Sequence, residues 1–334
     1  MQIACEKYVI DVPIASDEVG TAEWMWNARR IAVENDLGIS NYHRLESLSI
    51  VSQIDPLISI VSLDQLLCLP RLSRLSICCQ NMNDSWGFGR FQQLTHLCLL
   101  WGNFTASLFK EPMLNLKKLT IRNEGSFIVT RNLGELVPMI PNIQSLKIDF
   151  PYTNIYQLSR LTNLTSLKIF ILDVEDVILP TIRKLSFYTI SGPMHQYASL
   201  KIQLDKLTVP SLDEYSYHYA MTHQEIQELK ITKYIGLQKC AEMLVNLSVT
   251  KLCLVEGINP CLLYYVSHMS ALRHLCLEMP TDTENVESAL FLIRNMRLYT
   301  LEFTDLLYTP QIMEMLRKMP CLRRVRFSDG WLSL

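Results

Sequence analysis

The chain has 334 residues, 49 % of them hydrophobic and 19 % charged, with a formal net charge of −2. That is enough apolar material for two or three ordinary domains, or for a repeat array that grows without one central core. The near-neutral balance supplies no global field for nucleic acid or a membrane surface, and the 14 Pro and 11 Gly form no low-complexity tract.

The opening stretch MQIACEKYVIDVPIASDEVG carries Glu6, Asp11, Asp17 and Glu18, with no basic region followed by an apolar run, so it does not read as a secretory signal. No segment reaches the roughly 18 apolar residues of a membrane-spanning helix. The nearest candidate, LKIFILDVEDVILP, is broken by Asp173, Glu175 and Asp176. The next stretch, TAEWMWNARRIAVENDLG, has Trp24, Trp26, Ala28 and Ile31 at spacings that predict an amphipathic helix. Residues 1–44 show no internal repeat and read as an N-terminal cap.

From Leu45 onward one six-residue frame, apolar at its first, fourth and sixth positions, recurs thirteen times. The copies are LESLSI (45), LSRLSI (72), LTHLCL (94), LKKLTI (116), IQSLKI (143), LTSLKI (164) and IRKLSF (182). They continue as LDKLTV (204), IQELKI (226), VTKLCL (249), LRHLCL (272), LYTLEF (298) and LRRVRF (322). Successive starts lie 23 residues apart on average. A half-buried strand alternates, so positions 4 and 6 point inward, position 1 packs inward ahead of the strand, and positions 3, 5 and 7 point outward.

Between frames the spacing becomes helical. Ile312, Met315, Leu316 and Met319 form one apolar face, opened by Thr309 and Pro310 as N-cap and first helical residue. INPCLLYYVSHMSALRHL and TENVESALFLIRNMRLYTL follow the same pattern. Pro70, Pro141, Pro180 and Pro320 stand two residues before a frame, where proline ends the preceding element. The repeat from 164 to 181 is too short for a full helix, which predicts an extended return or a single tight turn.

The frames resemble the leucine-rich repeat family over residues 45–334. The resemblance implies an α/β fold: a right-handed solenoid or horseshoe of about thirteen repeats with a parallel concave sheet. Three residues after the last frame apolar, many such repeats place Asn or Cys. Here Gln53, Gln80 and Gly257 occupy that slot, and Asn103 stands one residue past it, which resembles the irregular repeats of F-box proteins and of nucleotide-binding immune receptors. The implied function is a protein-binding scaffold without enzymatic activity or cofactor: a substrate or partner adaptor in ubiquitin ligation. The alternative is the ligand-sensing end of an immune receptor or a stand-alone relative. Residues 1–44 lack the Leu-Pro-rich start and short helices of an F-box, so an adaptor-binding segment there is at most degenerate.

The ten cysteines are scattered without a C-x-x-C, which fits a reduced interior in the cytoplasm or nucleus; four N-x-S/T matches then carry no meaning. Motifs for nucleophilic, phosphate or dinucleotide chemistry are absent. WGFGR (86–90) reads as a loop between repeats, and EYSYHYAMTH (214–223) as either an aromatic contact loop or an irregular outer segment. His274 and Cys276 sit at positions 3 and 5 of one frame, with Cys253 and Glu302 on the neighbouring strands. That set holds enough ligand types for zinc. Against it, His96 and Cys98 fall on the same positions by the frame alone, so no metal is assigned.

Outward positions carry the sharper signal. Lys or Arg fills 11 of 39 such sites, where composition predicts about 3.6, while Asp or Glu fills 4. The cations are Arg74, Lys118, Arg122, Lys147, Lys168, Lys184, Lys206, Lys230, Lys251, Arg324 and Arg326. Exposed strands favour lysine on their own account. The functional reading is a surface for a protein partner with an acidic or phosphorylated face, bound by a monomer or by a subunit of a hetero-complex. Aromatics interleave only at Phe170 and Tyr188, which disfavours nucleic acid.

Overall fold

The computed structural model describes residues 13–14, 30–34, 44–51, 66–79, 87–101, 106–123, 131–173, 181–191, 204–212, 220, 226–234, 238–278, 283–304, 306 and 309–334. The chain divides into two compact units, residues 1–170 and 171–334.

The first unit carries β1 (Pro13–Ile14), β2 (Arg30–Glu34), β3 (Ser47–Val51), β4 (Arg74–Cys79), β5 (His96–Trp101), β6 (Lys118–Asn123), β7 (Arg131–Asn132), β8 (Ser145–Ile148), β9 (Tyr152–Thr153) and β10 (Ser166–Asp173). The order β1-β2-β3-β4-β5-β6-β8-β10 makes one parallel sheet, and β7 pairs β9 separately. The second unit carries β11 (Lys184–Ser191), β12 (Lys206–Leu212), β13 (Glu228–Tyr234), β14 (Lys251–Glu256), β15 (His274–Leu277), β16 (Thr300–Phe303), β17 (Arg324–Phe327) and β18 (Gly330–Ser333). Here neighbouring strands pair parallel through β17, and only β18 turns back antiparallel.

In both units the architecture is an α/β solenoid with one parallel strand per frame. Each of the thirteen frames opens its strand at position 3, and like positions pair across the ladder, as in Leu252↔Leu275↔Leu301. Position 1 is buried from Leu45 to Leu322, and position 4 from Leu48 to Val325. The carbonyl at position 2 accepts two backbone N–H bonds from the next repeat: Ser73 O takes Thr95 and His96, and Thr250 O takes Arg273 and His274. Apolar burial and backbone pairing therefore repeat in the same register, so each turn supports the next.

The return segments differ between the units. In the first they are mainly 3₁₀ turns such as Phe88–Arg90 and Ile155–Arg160, with one short α-helical turn at Leu133–Leu136. In the second they include the helices Gln238–Leu244, Pro260–Val266, Thr283–Ile293 and Pro310–Arg317. Thr309 and Asn259 cap two of these through Ile312 N (3.3 Å) and Leu262 N (2.8 Å), each followed by proline, as the sequence predicts. Within WGFGR, which the sequence reads as a loop, Phe88–Arg90 forms a 3₁₀ turn, and Trp86 lies outside the described residues. Gly87 takes φ 57°, and Phe88 is buried with Phe91 and Phe109 at 6.3 and 6.1 Å. The return of the short 164–181 repeat lies outside the described residues from 174 to 180, as does EYSYHYAMTH apart from Ala220.

The expected amphipathic helix near the N-terminus is not formed over 30–34, which is strand β2. Its residues pair in register with β3, Ile31 to Leu48 and Val33 to Ile50, and β1 pairs with β2 in turn. Ile and Val two apart match the strand period, and β3 offers a partner for every backbone group along one edge. The ladder thus begins before residue 45. Pro13, with no N–H to donate, lies in the outermost strand of the order, where proline is tolerated.

Candidate functional site

Strand register turns the outward positions into rows. In the first unit the position-5 row runs Ser49, Ser76, Cys98, Thr120, Lys147, Lys168. Lys118 and Arg122 flank it on β6, both exposed. Lys147 is half-buried, and burial pushes its pKa down, followed by the charges of Lys168 and Arg122; Asp149 opposes them. A partly desolvated ammonium among like charges is a place where an incoming anion gains the most.

In the second unit the position-3 row runs Lys184, Lys206, Glu228, Lys251, His274, Thr300, Arg324. Glu228 lies between two lysines: Lys206 Nζ donates to its Oε1 at 2.5 Å, and Lys251 Nζ stands 3.7 Å away. The lysines from 147 to 251 are therefore not one uniform line. Lys147 and Lys168 hold position 5 and Lys184, Lys206 and Lys251 hold position 3, while Lys230 sits at position 5 beside Cys253. Arg326 is likewise engaged, 3.7 Å from Glu302. Glu228 compensates the middle of the second unit, and the first unit groups four cations, Lys118, Arg122, Lys147 and Lys168, with Asp149 acting against them.

Counting positions 3, 5 and 7 omits a further cationic feature at position 2. There Arg273, Tyr299 and Arg323 lie on successive repeats, and the guanidinium carbons stand 6.0 and 5.2 Å from the exposed Tyr299 ring. Arg273 also donates to the Ser270 and Leu272 carbonyls at 2.8 and 2.7 Å. Beyond it, Arg326 lies 5.9 Å from the Trp331 ring on the antiparallel edge strand. Guanidinium groups within about 6 Å of an aromatic ring gain a cation–π attraction and remain suited to carboxylate or phosphate. The signal was present in LRHLCL, LYTLEF and LRRVRF as the second letter of each frame.

The histidines are tied to neighbouring hydroxyls. His274 Nδ1 is 2.7 Å from Thr300 Oγ1, and His96 Nδ1 is 2.9 Å from Thr95 Oγ1. Thr95 gives its hydroxyl proton to the Ser73 carbonyl at 3.0 Å, so Nδ1 of His96 is the donor. Among the described residues no three of His, Cys, Asp and Glu gather as a metal-holding group. Cys253 and Cys276 are nevertheless paired in register. Cys276, with Lys230 and Lys251 nearby, pulls the Cys253 thiol below its ordinary value, whereas the Cys276 thiol is pushed up by Cys253 first and then by burial.

His96 reports on the cations around it. Burial first, then Arg74 and Lys118, lowers its pKa. With the folded value depressed, the unfolded chain binds the proton first as pH falls, so this stability contribution holds at neutral pH and is lost as pH drops through the folded value. His96 should therefore titrate by NMR below about 6.5, and its midpoint should rise in Lys118→Met. An unmoved midpoint would show that Lys118 does not act on the ring.

No family model and no curated protein matches the chain. Solved structures with similarity include an internalin of Listeria monocytogenes, at 15 % identity and TM-score 0.36, covering 91 % of this chain and 82 % of that one. A Bacteroides fragilis protein aligns at 13 % identity and TM-score 0.38 over 63 % and 65 % of the two chains. A leucine-rich-repeat protein of Leptospira interrogans aligns at 15 % identity and TM-score 0.29 over 97 % of each. Similarity this low assigns no role, and the repeat architecture stands on the strand register itself. No helix among the described residues is long and apolar enough to cross a membrane.

Proposed function

We propose that the chain is a protein-binding scaffold whose outward strand face recognises an acidic or phosphorylated partner. The observation that carries this reading is the first unit's group of Lys118, Arg122, Lys147 and Lys168, with the Lys147 ammonium partly desolvated among cations. The arginines at 323, 324 and 326 extend the same chemistry in the second unit. Lys206 and Lys251 contribute less, because Glu228 already lies between them.

The finer reading is a recognition adaptor of the F-box-like kind, working in the cytoplasm or nucleus. It rests on the irregular repeats alone. An adaptor-binding helix would have to lie outside β2, since residues 30–34 pair into the ladder. No observation favours the immune-receptor reading over it.

The test is affinity purification with mass spectrometry on wild type and Lys147→Glu/Lys168→Glu. Partners held by wild type should be lost from the double variant, with an unchanged melting temperature. Lys318→Glu, a charge reversal on an exposed residue paired with Glu314 at 2.7 Å, should leave them bound. Retention of every partner by the double variant would overturn the reading.

A further inference from the structure

Cys253 and Cys276 face each other directly across β14 and β15. Parallel strands are about 4.8 Å apart, inside the Cα window that a disulfide spans. The register already sets the two residues opposite each other, so no strand has to slide to bring sulfur to sulfur. Their surroundings are unequal. Cys253 is half-buried, with Lys230 beside it in the same row and Lys251 on its own strand, whereas Cys276 is 7 % exposed. Glu302 follows Cys276 in the row. One thiol is thus partly exposed and cation-flanked, and the other, beside it on the next strand, is buried.

We infer that Cys253 and Cys276 form a peroxide-sensitive thiol pair that closes a reversible disulfide across the strand face. Cys253 is the reacting sulfur. As the thiolate it attacks one oxygen of hydrogen peroxide; the O–O bond breaks, hydroxide leaves, and Cys253 becomes a sulfenic acid. Cys276 then gives its proton to water and attacks the Cys253 sulfur. The S–S bond forms and the S–O bond breaks with loss of hydroxide. In sum, two thiols and one peroxide give one disulfide and two waters, the peroxide being reduced and both sulfurs oxidised.

The asymmetry supports this order. The protonated Cys276 thiol stabilises a Cys253 thiolate, and the lysines do the same. What chiefly holds Cys276 protonated is Cys253 itself. Once Cys253 is a sulfenic acid that hindrance is gone, and the second step can follow. The bridge must draw the two side chains closer than the strand spacing, to a Cβ separation of about 3.8 Å. A bond formed under that constraint is readily reduced, as a reversible modification requires.

The experiment treats the reduced full chain with hydrogen peroxide and maps it without reductant. Exposed Cys68 and Cys261 serve as internal comparisons. The expected result is a peptide pair joined through Cys253 and Cys276, lost on adding dithiothreitol. In Cys276→Ser the bridge cannot close, and dimedone should trap a sulfenic acid at Cys253 ahead of Cys68 and Cys261. In Cys253→Ser, Cys276 should stay a thiol. Free Cys253 and Cys276 in oxidised wild type, at peroxide levels that modify Cys68 and Cys261, would overturn the inference. So would a dimedone adduct on Cys276 of Cys253→Ser.

Discussion

Leu275→Ala is expected to destabilise the second unit by about 2–5 kcal/mol, read as a lower denaturant midpoint. Leu275 holds frame position 4 of β15 and is 1 % exposed. It pairs in register with Leu252 on one side and Leu301 on the other, both buried. Truncation opens a void that its neighbours fill only partly, because their own positions are fixed by the backbone ladder. Each repeat leans on the next, so the loss is felt in two interfaces at once. Arg324→Ala, at an outward and exposed position of β17, should shift the midpoint by no more than about 0.5 kcal/mol. Equal midpoints for the two variants would show that frame position 4 does not carry the core.

That contrast also marks how much of the molecule was legible in the sequence. The frame gave the inward positions correctly across the described residues, because a period of two leaves a strand no freedom about which face a residue takes, but Thr120 and Cys276, both at outward position 5, are buried. It also placed Cys253 beside Cys276, since like positions pair. Two things were less legible. VIDVPI and ARRIAV fit the frame in letters, but Ala28 is a weak first residue and their starts lie only 19 and 17 residues, respectively, from the following ones. With Trp24 and Trp26 nearby, the helical reading looked stronger than the strand that forms at 30–34.

The second gap is one of interaction and not of position. Counting charges on the outward face treats each lysine alike. Register shows that Lys206 and Lys251 share one carboxylate, while Lys147 faces Lys168. The count was right and the field it implied was uneven. Position 2 was left out of the count because it precedes the strand, yet it is where Tyr299 meets Arg273 and Arg323.

The slot three residues past the last frame apolar supplies the other large expected effect. In the repeat at 249 it is Gly257, with φ 75°, and in the repeat before it is Tyr234. A Cβ on Gly257 would stand 2.3 Å from the Tyr234 carbonyl oxygen, and backbone atoms cannot rotate away. Tyr234 is itself buried, its hydroxyl without a hydrogen-bond partner among the described residues, so it has little room to shift. Gly257→Ala therefore meets a strained φ and a backbone clash together, and should cost about 2–5 kcal/mol. Gly330→Ala isolates the first of these. Gly330 also has positive φ, at 136°, but an added Cβ meets nothing within 4 Å, so its cost should be the smaller one. Gly257→Asn distinguishes the two causes at the same place. Asparagine accepts the left-handed region more readily than alanine, yet it carries the same Cβ toward the Tyr234 carbonyl. If the close approach of the two backbones dominates, Gly257→Asn should melt about as low as Gly257→Ala; recovery to the wild-type midpoint would assign the slot to φ alone.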